Sequence, residues 1–390
     1  MMRCGLSRNT ENSFSSDQRS KQIQVKVKCI AILQCAAAMS LSCARSVTAD
    51  TDVLPYIRNV LADTSSVAYS VLAGYDPADR YGSIAVAGPE ESTRQLAAYL
   101  MACDMFDNID ARESRDSLPD FAGELFASCY DLADTSYAGL VRDGKDDALR
   151  EVTVRNAVAA AAGECYQNAF SNVPSVEKSP AKIIVFSSSF SEVGTADVDT
   201  LFSLFGKTVR MVSPVEAIAQ RIEEEHVAGK IGIWADNDVL ASGVYAKVFR
   251  NWNRGFDYVG FSPDGFSTAE EGFFRFLDMY MSTGEVVPLS AVVIDDFRLS
   301  GYAASINEVA SRVRSSTTDE HAVYRAILAD DFKVIDAVSS IARSCYRTLR
   351  KENLFTHIIR YPLSEEYAIV RSPEANADIK YIEYNHIYVH

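Results

Sequence analysis

Short continuous apolar runs, separated by amphipathic stretches, recur along most of this chain. The clearest lies in 181–191, AKIIVFSSSFS, where Ile183, Ile184, Val185 and Phe186 stand together and stop abruptly at three serines. A run that short, apolar and partly β-branched fits a parallel strand buried on both faces. Comparable runs predict strands at 67–73, 83–87, 209–212, 231–235, 256–261 and 291–294. Periodic stretches predict helices at 53–62, 88–103, 149–162, 197–205, from 214 onward, and at 267–282, 306–313 and 321–349. In 354–390, apolar and polar residues alternate in YAIVRS and YIEYNHIYVH, which predicts one or two edge strands. Strands alternating with helices define an α/β protein with parallel sheets.

The pattern divides the chain at 1–42, 43–82, 83–180, 181–250, 251–350 and 351–390. The first segment is set apart by its order of charge and hydropathy. A polar lead ending in Lys21, Lys26 and Lys28 precedes a thirteen-residue apolar run, 29–41. That run is too short for a stable transmembrane helix and has the form of a secretory leader's apolar region. Ser40-Leu41-Ser42-Cys43 resembles a bacterial lipoprotein cleavage site, which makes Cys43 the lipidated residue of a mature envelope protein. Ordinary secretion and a buried N-terminal helix are the other readings of the same run. No later run reaches transmembrane length, so the membrane is expected to be met through the N-terminal lipid only.

Charge narrows the partners. The chain has 38 basic and 53 acidic residues, a net of −15. Residues 1–42 hold six Lys or Arg and two Asp or Glu, +4 in all, so removing them leaves −19. Such a surface repels nucleic acid and anionic lipid. Of the eight cysteines, Cys103, Cys129, Cys165 and Cys345 remain after Cys43; their spacing fits no zinc pattern, and both disulfides and buried thiols are open to them. No cofactor motif is present, and no cofactor is expected.

Candidate chemistry gathers at strand ends, because ligands of open α/β sheets sit beyond the carboxyl ends of strands, near helix N-termini. Ser187, Ser188 and Ser189 stand at one such end, Asp236 at another, and Asp295 and Asp296 at a third. Asp236 and Asp238 are the only further oxygen ligands a metal at Asp295 and Asp296 would find, and no metal site is assigned. The polar loop 106–126 offers Arg112 or Arg115 to a ligand carboxylate, whose geometry the guanidinium fork matches. Glu90 and Glu91 suit the positive end of a helix dipole, and His226 ends an acidic helix face.

From 181 to 249 the order of motifs resembles the aspartate/glutamate racemase family. In that family an Ala-Cys-Asn-Thr strand end is followed by a helix start with proline, then by an Ile-Gly-Val-x-Ala-Thr strand and a Thr-x-x-Ser-Gly-x-Tyr helix. Here Ser213-Pro214, Ile231-Gly232-Ile233, Ala235 and Ser242-Gly243-x-Tyr245 carry the likeness, which extends loosely over 83–313. The resemblance implies two pseudo-symmetric α/β lobes around a cleft for an amino-acid-like or other small carboxylate ligand. It also implies two cysteines, one on each face of the substrate's α-carbon. Ser187 occupies the first of those positions, Asp295 the second, and 86–90 lacks the early Asp-Ser pair.

A serine without a neighbouring base is a poor proton acceptor near neutral pH, so thiol-type racemisation is not expected. Three classes stay open: a non-catalytic envelope lipoprotein binding a small ligand, an isomerase, lyase or hydrolase using Ser187, Asp295 or Asp236, and a structural or partner-binding protein with an empty cleft.

Overall fold

Most of the apolar runs become parallel strands in two sheets. The computed structural model describes residues 53–133, 136–252, 255–356, 362–373 and 379–386. The expected leader 1–42 and Cys43 lie outside the described residues. Among those described, no helix is long and apolar enough to cross a membrane.

The first sheet has its centre in β1 (Ser83–Pro89), flanked in parallel by β2 (Leu125–Asp131) and β3 (Ala181–Phe186), with the short β4 (Met211–Val212) beyond β3. The second is built on β5 (Lys230–Ala235), β6 (Asp257–Phe261), β7 (Leu289–Asp295) and β8 (Leu328–Asp336), all parallel, in the order β8-β7-β5-β6. This is an α/β architecture of two largely parallel sheets, as the strand-helix alternation predicts.

Three expectations are corrected. The segment Val67–Gly74 is a helix, not a strand: the Ser66 side chain accepts from the Tyr69 amide and fixes its first turn. The predicted long helix 321–349 is interrupted by β8, whose Lys333, Val334 and Ile335 register with Ala291, Val292 and Val293 of β7. The C-terminal strands do not both lie at an edge. β9 (Leu363–Arg371) enters the first sheet parallel to β2, and only β10 (Ile379–Glu383), antiparallel to β9, is terminal.

Helices cover both sheets. In chain order they include α1 (Glu90–Ala102), α2 (Asp146–Ala161), α3 (Thr195–Leu204), α4 (Pro214–Glu224), α5 (Val244–Asn251), α6 (Ala269–Ser282), α7 (Ala303–Ser315) and α8 (Ala337–Lys351). After completing the second sheet the chain returns to the first through α8, whose Ile341, Cys345, Tyr346 and Leu349 pack with Ile84, Ile183 and Val185. Each such side chain, fully buried, contributes roughly 1.5–3 kcal/mol by transfer from water. Gly232 in β5 lets the Phe276 ring of α6 lie against the strand, since a Cβ there would meet the ring at 2.7 Å.

One buried ion pair braces the first sheet. Lys182 and Glu124 bond to each other with both side chains wholly inaccessible. The Lys182 ammonium also donates to the carbonyls of Arg80 and Leu354 at 2.9 and 3.0 Å, and the Thr356 amide donates to Glu124 at 2.8 Å. Such full satisfaction is what makes a charge pair tolerable away from water.

Candidate functional site

The carboxyl ends of β1, β3, β5 and β7 meet at one cleft of about 270 Å³, lined by Ser92, Ser187, Ser188, Asp236, Asp296 and Arg298 among others. Four strand ends from two sheets converge there, the arrangement in which open α/β proteins hold ligands.

Each serine has a different place. Ser187 follows β3 directly, and its amide donates to the Ala87 carbonyl at 3.0 Å. Its hydroxyl is fully buried, 2.7 Å from Thr93 Oγ1 and 3.2 Å from Ser92 Oγ of α1. That approach requires Gly88: its φ is +149°, and a Cβ there would sit 2.4 Å from Ser187 Oγ. Ser188 precedes a 3-10 turn, Ser189–Gly194. Ser189 turns across to the second sheet, where its hydroxyl donates to the Asp295 carboxylate, 2.8 and 2.7 Å from the two oxygens.

Asp295 is buried at the end of β7, and the Tyr245 hydroxyl of α5 donates to its Oδ2 at 2.6 Å. Burial pushes the Asp295 carboxyl above the usual range, against the hydrogen bonds from Tyr245 and Ser189 that hold it down. Burial also pushes the Tyr245 phenol well up, assisted by the adjoining Asp295 charge. The triad Ser189-Asp295-Tyr245 is therefore a closed hydrogen-bonded bridge between the two sheets, with both carboxylate oxygens engaged. The triple serine and the paired acids are in direct contact rather than facing each other across open space.

Asp296 points the other way and accepts from the Arg298 amide and Nε at 2.9 Å and from Nη2 at 2.7 Å. Arg298 Nη2 also lies 3.5 Å from Asp236. The Asp296 hydrogen bonds and charge come first in holding Arg298 firmly protonated. Glu91 and Gln95 of α1 complete the exposed wall. Three carboxylates, Glu91, Asp236 and Asp296, thus face one guanidinium, and the cleft as a whole favours a positively charged group.

Arg112 is not brought to the cleft. Its side chain is 84% exposed and pairs with Asp110 in the loop after α1. The carboxylates of that loop hold its backbone: Asp120 accepts from the Met105 and Phe106 amides, and Asp104 from those of Asp116 and Ser117. This ordering fixes the loop's backbone where Arg112 faces solvent. Asp238 also turns away, 3.6 Å from Arg142. Among the described residues no group of three metal-ligating side chains forms. Cys103, Cys129, Cys165 and Cys345 are free, buried, and absent from the cleft lining.

The cleft cation, Arg298, and the wall residues Ser92 and Gln95 escape a sequence reading. The only signal is position: Arg298 lies two residues beyond Asp296, and α1 opens directly from β1.

The fold is similar to that of solved racemases. Glutamate racemase from Bacillus anthracis aligns over 74% of this chain and 89% of its own, with 10% identity and a TM-score of 0.45. Glutamate racemase from Francisella tularensis, solved with D-glutamate, gives the same coverage and TM-score at 12% identity. An aspartate racemase homologue from Pyrococcus horikoshii aligns over 69% of this chain and 99% of its own, with 13% identity and a TM-score of 0.37. No protein-family model and no curated protein matches the chain. The chemistry of the cleft is accordingly read from its own groups.

Proposed function

We propose that this protein is an envelope-anchored, racemase-like scaffold whose cleft binds a small amino-acid-like ligand without thiol acid/base catalysis. The observation that carries this reading is the state of the two positions that matter for proton transfer. Ser187 is buried against other hydroxyls with no base among its hydrogen-bond partners, and Asp295 is occupied by Ser189 and Tyr245. Moving a proton on and off a carbon from opposite faces needs two groups free to exchange it near working pH. Neither position offers one. What the cleft does offer is Asp236 and Glu91 for an ammonium and, for a carboxylate, the Nη1 edge of Arg298, whose Nε and Nη2 are held by Asp296.

A thermal-shift screen of the full chain against free amino acids tests the binding. A ligand at saturating concentration is expected to raise the melting point by about 2–4 °C, because only the native state holds it. Arg298→Ala should weaken that ligand by about tenfold, the worth of a charge-assisted hydrogen bond. A shift indifferent to Arg298→Ala would place the ligand elsewhere. Anchoring rests on the apolar run 29–41 and Cys43. In a bacterial host, labelled palmitate should enter the wild-type chain and be lost in Cys43→Ser; label that persists in the variant, or never enters, removes the anchoring half.

A further inference from the structure

The cleft holds more acceptors than one zwitterion uses. Its charged lining is three carboxylates, Glu91, Asp236 and Asp296, against the one guanidinium of Arg298, a net of −2. Asp296 is taken up by Arg298. The other two each keep an oxygen that receives no donor among the described residues. Asp236 Oδ1 lies 3.5 Å from Arg298 Nη2, which leaves Oδ2, and Glu91 Oε1 accepts from Gln95 at 3.3 Å, which leaves Oε2.

The two acids stand at different corners. Ala235 pairs with Asp295, so Asp236 and Asp296 leave the neighbouring ends of β5 and β7, and Arg298 reaches both. Glu91 stands on α1, one residue before Ser92, whose hydroxyl is 3.2 Å from that of Ser187. Ser188 follows Ser187, so it and Glu91 each stand one residue from the same contact. Ser188 is only 8% exposed, yet it is the one lining serine whose hydroxyl bonds to nothing among the described residues; Ser92 and Ser187 bond to each other and Ser189 to Asp295. That hydroxyl is not sealed from solvent. A nearly buried hydroxyl that lines a cleft and has no partner in the chain is satisfied by a polar group from outside it.

Resting on the cleft reading above, we propose that the ligand is a diamino acid, an α-amino acid whose side chain ends in a second ammonium, as in lysine. Arg298 Nη1 and Asp236, which lie close together, take the α-carboxylate and the α-ammonium, two groups that share one carbon. Glu91 and Ser188 take the side-chain ammonium at the other corner. An ammonium has three donors and no acceptor, so a carboxylate and a hydroxyl together suit it. Two positive groups with one negative reduce the excess of acid in the cleft, whereas a side-chain carboxylate would add to it. A volume of about 270 Å³ is just below the range usual for drug-sized ligands and admits one amino acid rather than a peptide.

Calorimetric titration of the full chain with lysine, norleucine and glutamate separates this assignment from the reading it rests on. Norleucine is the lysine skeleton without the terminal ammonium. The expected result is lysine about fivefold tighter than norleucine, the upper worth of a partly exposed charge pair, with glutamate weakest. Glu91→Gln should remove most of that lead and Ser188→Ala about twofold of it, each protein still binding norleucine and so shown to be folded. Asp236→Asn should weaken lysine and norleucine alike. Equal affinity for lysine and norleucine, or a lead that survives Glu91→Gln, would overturn the diamino assignment and leave amino-acid binding standing. Binding of none of the three would overturn both.

Discussion

Between about pH 4 and pH 7 the wild-type chain should lose about 2.5 kcal/mol of stability relative to Asp336→Asn, since burial pushes the Asp336 carboxyl from 3.8 up to about 6. The sign follows from proton counting. Below pH 3.8 both folded and unfolded chains carry the proton, and the contribution is fully present. As pH rises toward 6 the unfolded chain has released its proton while the folded chain still holds it, so stability falls through that window. The neighbouring Asp295 adds to the effect, and the capping bonds at Ser339 oppose it without cancelling it. Asparagine keeps the cap and has nothing to ionise. Urea midpoints at half-unit steps of pH measure the difference directly, and parallel curves for the two proteins would mean that Asp336 is not a buried titrating acid.

The strands that position the cleft were legible because their burial is total. All six residues of β3, all six of β5 and all seven of β7 are buried, and continuous apolar runs report this directly. The serines and the paired acids were legible for a related reason, since polar residues that terminate such runs mark the carboxyl ends of strands. β8 was not. Its sequence LADDFKVID mixes exposed carboxylates with core positions, and only its pairing with β7 selects strand over helix. β9 reads as an edge strand because its apolar and polar residues alternate, yet Tyr367, Ala368 and Ile369 are covered once β2 and β10 flank it.

Side-chain direction was the harder part. Nothing in the sequence distinguishes Arg112, which stays on its own loop, from Arg298, which reaches the cleft; the difference lies in the carboxylates that fix each backbone. Nor does sequence separate Asp295 from Asp296. Adjacent side chains leave a strand on opposite faces, so one is buried in the bridge with Ser189 and Tyr245 while the other opens to the cleft. The likeness to racemases at Ser242-Gly243-x-Tyr245 located Tyr245 but not its task, which here is to hold Asp295.

The central claim is that the cleft binds an amino acid and leaves its α-proton in place. Proton NMR of a binding amino acid in D₂O, with the full chain present, reads both parts at once. The expected result is saturation transfer from protein to ligand, weakened in Arg298→Ala, with the α-proton signal undiminished over hours. A steady loss of that signal to deuterium, in a sample where the Ser187→Ala and Asp295→Asn proteins cause none, would contradict the account by showing that these two residues exchange a proton with carbon after all.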